Sequence, residues 1–113
     1  MNELNVGTRE ACQRLVDAGI VLETDYYWCR DDSVGWYIRD ESTFTFDVHE
    51  SIPAPCFAEV WRELPIGTRF QKGEKASYAW KGGEWNESLQ CENNPTDALI
   101  ELLIWVERQK VKE

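Results

Sequence analysis

The sequence has 113 residues, 42% of them hydrophobic and 29% charged, a composition that favours one folded domain over residues 1–113 and is unlike that of disordered chains. Its 21 acidic and 12 basic residues give a net charge of −9, which disfavours binding to nucleic acid and to anionic membranes. The apolar runs are too short to cross a bilayer, and the N-terminus lacks the features of a secretory signal, so we expect a cytoplasmic protein.

The first predicted element is a helix from about Arg9 to Ala18. Thr8 is a suitable N-cap, and apolar residues recur at helical spacing between Ala11 and Val16. Gly19 then supplies the left-handed residue that commonly ends a helix. The stripe is expected to face the core.

The segment from Val21 to His49 changes to a period of two and is rich in aromatic and β-branched residues. Strands around residues 26–29 and 36–39 are predicted to form a hairpin across the polar turn at residues 31–33. The strict alternation of residues 43–49 predicts a third strand with one solvated face.

The second half of the chain begins with an extended proline segment, Ile52–Pro55, from which a short amphipathic helix is predicted to run to Leu64. Residues 67–90 return to β structure, with a hairpin at Gly82-Gly83. A last helix begins at the cap Asn94 and ends in a basic tail. The predicted fold is α+β, a mostly antiparallel sheet of about five strands with three helices packed on one face, in the order α-β-β-β-α-β-β-α.

The cysteines offer no recognisable metal-binding or redox motif. Four thiols are spread along the chain without a Cys-x-x-Cys pair: Cys12, Cys29, Cys56 and Cys91. We therefore expect mostly buried free thiols in place of a disulfide framework, with no metal site and no cofactor.

The single histidine, His49, lies between Asp47 and Glu50, so an acid-base pair is conceivable. Its position on the polar side of the predicted strand favours a solvated surface residue instead. The acidic pairs Asp31-Asp32 and Asp40-Glu41 are typical of turns. We therefore assign no catalytic residue.

The six tryptophans are the main indication of a binding surface, because tryptophan often anchors interfaces. Three are expected in the core: Trp28, Trp61 and Trp105. Three lie near predicted turns and are candidate binding residues: Trp36, Trp80 and Trp85.

The last helix has an apolar stripe of Leu99, Leu102, Leu103 and Val106, and it is apolar on a second side as well, where Ile100 and Ile104 project away from that stripe. A second apolar side needs a second partner, either the first helix or N-terminal segment, or another subunit. We favour packing within the chain, but both residues are also candidate binding residues, and monomer and homodimer both remain open.

Two stretches, residues 52–65 and 94–106, resemble small uncharacterised proteins of bacteriophages and mobile elements of gut bacteria. In those proteins a Pro-Ala-Pro entry leads into an amphipathic helix, and an Ala-Leu-rich helix closes the chain. The resemblance implies a fold and a genomic setting, and it transfers no catalytic residue.

These observations favour a noncatalytic accessory or protein-interaction domain of prophage origin, with an acidic, aromatic-bearing surface suited to a basic protein partner. The alternative is a small enzyme or ligand-binding domain with a pocket between sheet and helices near His49, using Asp47 or Glu50.

Overall fold

The computed structural model describes residues 6–31, 33, 35–40, 50–83 and 88–112. Within these residues there are three helices and six strands, in the order α-β-β-β-α-β-β-β-α. The elements are α1 (Arg9–Asp17), β1 (Tyr26–Asp31), β2 (Gly35–Asp40), β3 (Glu50–Pro53), α2 (Phe57–Glu63), β4 (Thr68–Lys72), β5 (Ser77–Lys81), β6 (Gln90–Glu92) and α3 (Pro95–Lys112). The predicted α+β class is confirmed, and the strands are divided between two three-stranded antiparallel sheets.

The first sheet has the order β2-β1-β3, and the predicted hairpin supplies two of its strands. Trp28 is paired with Ile38 on one side and with Ile52 on the other, so these three side chains share the face that packs against the core. The predicted strand over residues 43–49 lies outside the described residues. The third strand of this sheet is β3, which pairs with β1.

The second sheet has the order β4-β5-β6. The turn between β4 and β5 is closed by the backbone N–H of Gly73, which donates to the carbonyl of Ala76 at 2.8 Å. Ala79 is buried on the inner face, whereas Trp80 is paired with the exposed Arg69 on the outer face. Gly83 follows β5 with a φ of +86°, in keeping with the predicted turn, and residues 84–87 lie outside the described part.

Helix α1 begins and ends as its sequence predicts. The Oγ1 atom of Thr8 accepts a hydrogen bond from the backbone N–H of Ala11 at 3.2 Å. At the other end Gly19 has a φ of +79°, and the N–H of Ile20 donates to the carbonyl of Leu15 at 3.1 Å. Local capping therefore fixes both ends of the helix.

Helix α2 differs from its prediction in two respects. It begins at Phe57 and not at Pro55, with Cys56 as the N-cap residue. Trp61 was expected in the core but is 43% exposed, which corrects that assignment. The buried positions of this helix segment are taken by Val60 and Leu64, and the Trp61 ring stacks on Phe57 with 6.2 Å between ring centroids.

Helix α3 is the central element and contacts α1, α2, β5 and β6. Its buried apolar residues point in several directions around the axis: Ala98, Leu99, Ile100, Leu102, Leu103, Ile104 and Val106. Trp28 and Trp105, both expected in the core, are partly buried and pack against this cluster. None of the helices in the described ranges is long and apolar enough to cross a membrane.

Candidate functional site

A buried carboxylate joins the N-termini of α1 and α3. Asp97 is 6% exposed, and its two oxygens accept hydrogen bonds from the backbone N–H and the Oγ1 hydroxyl of Thr8, each at 2.7 Å. The predicted cap of α3 is confirmed, because the Oδ1 atom of Asn94 accepts hydrogen bonds from the N–H groups of Thr96 and Asp97. Asn94 also donates from Nδ2 to the carbonyl of Val6 at 3.2 Å, so both side chains hold the N-terminal segment on α3.

Burial is the largest influence on the Asp97 carboxyl and raises its pKa. The two hydrogen bonds from Thr8 favour the charged form and offset only part of this effect. Arg14 also favours the charged form of Asp97. Glu101, the ion-pair partner of Arg14, disfavours that charged form. These contacts make Asp97 a structural residue.

Cys12 lies next to this junction and is fully buried. Burial, reinforced by the negative charges of Asp97 and Glu10, raises the pKa of its thiol to about 12. A thiol in that state is protonated at neutral pH and is a poor nucleophile. All four cysteines are free: Cys12 and Cys29 are buried, Cys56 is partly buried, and Cys91 is exposed.

The first recess on the surface, which we call the indole pocket, has a volume of about 420 Å³. It is lined by Val6, Gly7, Thr8, Arg9, Glu10, Trp28, Trp36 and Asn94. The Trp28 Nε1–H donates to the carbonyl of Gly7 at 2.9 Å, and the Arg9 guanidinium lies 5.0 Å from the centroid of the Trp36 ring. Trp36, a candidate binding residue from the sequence, therefore lies at a pocket between the first sheet and the start of α1.

A second recess, which we call the acidic recess, has a volume of about 450 Å³. It is lined by Glu23, Thr24, Asp25, Tyr27, Glu59 and Arg62. The Oε1 atom of Glu59 accepts hydrogen bonds from Thr24 Oγ1 at 2.7 Å and from the backbone N–H of Cys56 at 2.9 Å. Glu23 and Asp25 are exposed, and neither carboxylate forms a hydrogen bond or ion pair within the described part of the chain.

The other candidate binding residues are dispersed. Trp80 lies half-buried on the outer face of the second sheet, away from the residues that line either recess. Trp85 and His49 lie outside the described residues. The two candidate tryptophans that the structure describes, Trp36 and Trp80, therefore lie on different surfaces.

Ile100 and Ile104 are buried at 0% and 3% exposure. Ile100 lies directly beneath Gly7, and Ile104 lines a surface hollow with Arg14 and Asp17 of α1. The second apolar side of the last helix is thus covered by the N-terminal segment and α1. This is the packing within the chain that the sequence favoured.

Sequence reasoning did not single out Arg9 or the carboxylates of the acidic recess. The closely spaced acids Glu23 and Asp25 were the only local signal, and Glu59 joins them through the fold. Within the described residues, no group of three or more His, Cys, Asp or Glu side chains is placed to hold a metal ion. No family model, curated protein or solved structure matches the chain. Function is therefore inferred from the chemistry of the two recesses.

Proposed function

We propose that this protein is a noncatalytic interaction domain that binds a basic side chain of a protein partner in the acidic recess. The observation that carries the proposal is the charge of the lining, in which three carboxylates face one guanidinium: Glu23, Asp25 and Glu59 against Arg62. Tyr27 adds an aromatic side chain of the type that often anchors interfaces.

The two exposed carboxylates provide the attraction. Glu23 and Asp25 have no ion-pair partner among the described residues, so binding a cation there would break no pair within that part of the chain. The net charge of −9 also steers a basic partner towards the surface and raises its association rate. Both effects weaken as salt is added.

The base of the recess is held in place before binding. The hydrogen bond from Thr24 to Glu59 ties α2 to the entrance of β1, and the bond from the Cys56 N–H holds the Glu59 side chain at the start of its own helix. A recess that is already ordered loses less conformational entropy when a partner binds. This rigidity favours recognition of one side chain over loose electrostatic attraction.

An accessory role in a prophage fits such a domain. The resemblance of residues 52–65 and 94–106 to phage and mobile-element proteins suggests this setting, in the cytoplasm of the host. One form of the role is an inhibitor or immunity-type protein that covers a basic surface of its target.

The test is an NMR titration with the capped tripeptide Gly-Arg-Gly and with its neutral citrulline counterpart. We expect the arginine peptide to shift backbone amides of residues 23–27 and 59–62, and the citrulline peptide to shift them far less. The double variant Glu23→Gln/Asp25→Asn should weaken arginine binding about three- to tenfold, as expected for the loss of two exposed ion pairs. The matched control Glu74→Gln, an exposed acid outside the recess, should leave the affinity unchanged.

Equal shifts with both peptides, no shift with the arginine peptide, or full affinity in the double variant would each refute the proposal. An affinity that stays constant as salt is raised would refute its electrostatic basis.

A further inference from the structure

The indole pocket is formed by parts of the chain that are far apart in sequence. Trp28 and Trp36 are diagonal neighbours on one face of the first sheet, because Trp28 pairs with Ile38, two residues beyond Trp36. The N-terminal segment and Asn94, at the start of α3, complete the lining. A volume of about 420 Å³ lies within the range of pockets that hold small molecules.

Trp28 is fixed in position before any ligand binds. Its indole N–H is already bonded to the carbonyl of Gly7, so the side chain offers a ligand its ring surface and not a hydrogen-bond donor. Gly7 in turn lies so close to Ile100 and Cys12 that an added Cβ would collide with the Ile100 side chain. The pocket is therefore ordered before binding, and its shape suits an apolar, planar group.

Arg9 places a positive charge in this apolar setting. Its guanidinium lies over the Trp36 ring, and among the described residues its nearest carboxylate is that of the exposed Glu10, at 3.8 Å. A partly exposed ion pair of that length contributes little, so the guanidinium keeps most of its capacity to bind an anion. Arginine also matches the two oxygens of a carboxylate.

We propose that the indole pocket binds a small planar molecule that carries a carboxylate, with its ring against the tryptophans and its carboxylate at Arg9. The site shares no residue with the acidic recess and is independent of the protein partner proposed above. The sequence associated a ligand-binding function with His49. The proposed site for such a function is instead formed by Arg9, Trp28 and Trp36.

Three probes distinguish the contribution of a planar ring to binding from the contribution of a carboxylate: indole-3-acetate, tryptamine and cyclohexaneacetate. The first has a planar ring and a carboxylate, the second the same ring with a cation, and the third a carboxylate on a puckered ring. Titration of the full chain by NMR should show indole-3-acetate shifting the Trp36 indole N–H and the backbone amides of residues 7–10. We expect it to bind about fivefold or more tightly than either of the other probes.

The variant Arg9→Gln should remove the preference over tryptamine, weakening indole-3-acetate about fivefold while tryptamine binds at least as tightly as to the wild type. Arg108→Gln, an exposed arginine far along α3, is the matched control and should bind all three probes as the wild type does. The Glu23→Gln/Asp25→Asn variant should also bind indole-3-acetate normally, which separates this proposal from the proposed protein partner.

The proposal is overturned if indole-3-acetate fails to bind, if tryptamine binds as tightly, or if Arg9→Gln retains full affinity. Arg9 is partly exposed and its substitution is expected to leave the fold intact, so a thermal melt like that of the wild type makes each outcome decisive.

Discussion

The Asp97→Ala variant is expected to lose about 3 kcal/mol of unfolding free energy. The substitution removes the acceptor of both Thr8 hydrogen bonds and leaves a partly buried N–H and hydroxyl without their partner. It also releases the N-terminal segment from α3. Urea denaturation followed by circular dichroism measures the loss. Asp17→Ala, an exposed acid in the last turn of α1, is the control and should change stability by less than about 0.5 kcal/mol.

A loss below about 1 kcal/mol for Asp97→Ala, similar to an ordinary substitution, would show that the junction contributes little to the fold.

The same residue should give the protein a characteristic pH dependence. Because burial raises the pKa of Asp97 above its ordinary value of 3.8, the folded state binds a proton more tightly than the unfolded chain does. The stability that this tighter proton binding provides is fully present when the pH is below the ordinary pKa of 3.8. It is lost as the pH rises through the pKa of Asp97 in the folded state. The stability of the wild type relative to Asp97→Asn, which does not titrate, should therefore fall as the pH rises above 3.8 through the pKa of the folded state. A relative stability that rises over that range would contradict the direction of the shift.

The Gly7→Ala variant is expected to lose about 2 kcal/mol, because the new methyl group collides with the Cδ1 atom of Ile100 inside the core. Ile100→Val removes that atom and by itself should cost about 1 kcal/mol. The double variant should be more stable than the sum of the two losses predicts, by about 1 kcal/mol or more. A double-mutant cycle by urea denaturation measures this coupling.

Ile104→Val is the matched control, since it removes the same Cδ1 methyl group one helical turn away from Ile100. None of the atoms nearest to Gly7 belongs to Ile104. Its effect should add to that of Gly7→Ala. Additive losses for Ile100→Val as well would mean that Gly7 does not lie on Ile100.

Local signals in the sequence predicted the helices well. Thr8 and Gly19 fix the ends of α1 by hydrogen bonds within a few residues, and Asn94 does the same for the start of α3. The second helix was less certain because Pro55 is compatible with both an extended and a helical position. Trp61 shares the helical spacing of Phe57, Val60 and Leu64, and its exposure depends on neighbours that this spacing does not identify.

Long-range pairing was the part of the fold that the sequence left open. Alternation predicts a strand and its buried face, but it does not say which strands are neighbours. The strands were therefore assigned to one sheet, whereas β1 pairs with β2 and β3, and β5 pairs with β4 and β6. The same limit applies to Asp97, whose partner Thr8 is 89 residues away.

The candidate sites depend on these distant contacts as well. Trp36 was predicted from its position near a turn, but the cation beside it, Arg9, comes from the start of α1. The acidic recess brings Glu59 close to Asp25 through the packing of α2, which is hydrogen-bonded to Thr24. Neither arrangement leaves a pattern in the sequence, since charged residues on separate elements have no fixed spacing.

The central structural claim is that α3 is covered on both apolar sides by its own chain, which leaves recognition to the two recesses. Its most direct test is the accessibility of isoleucine methyl groups to a soluble gadolinium chelate, measured by NMR on dilute protein whose diffusion is that of a monomer. The Ile100 and Ile104 methyls should stay sharp, whereas that of the fully exposed Ile66 should broaden strongly. Broadening of Ile100 and Ile104 to the extent seen for Ile66, or protection that appears only when the protein is concentrated into a dimer, would contradict the claim.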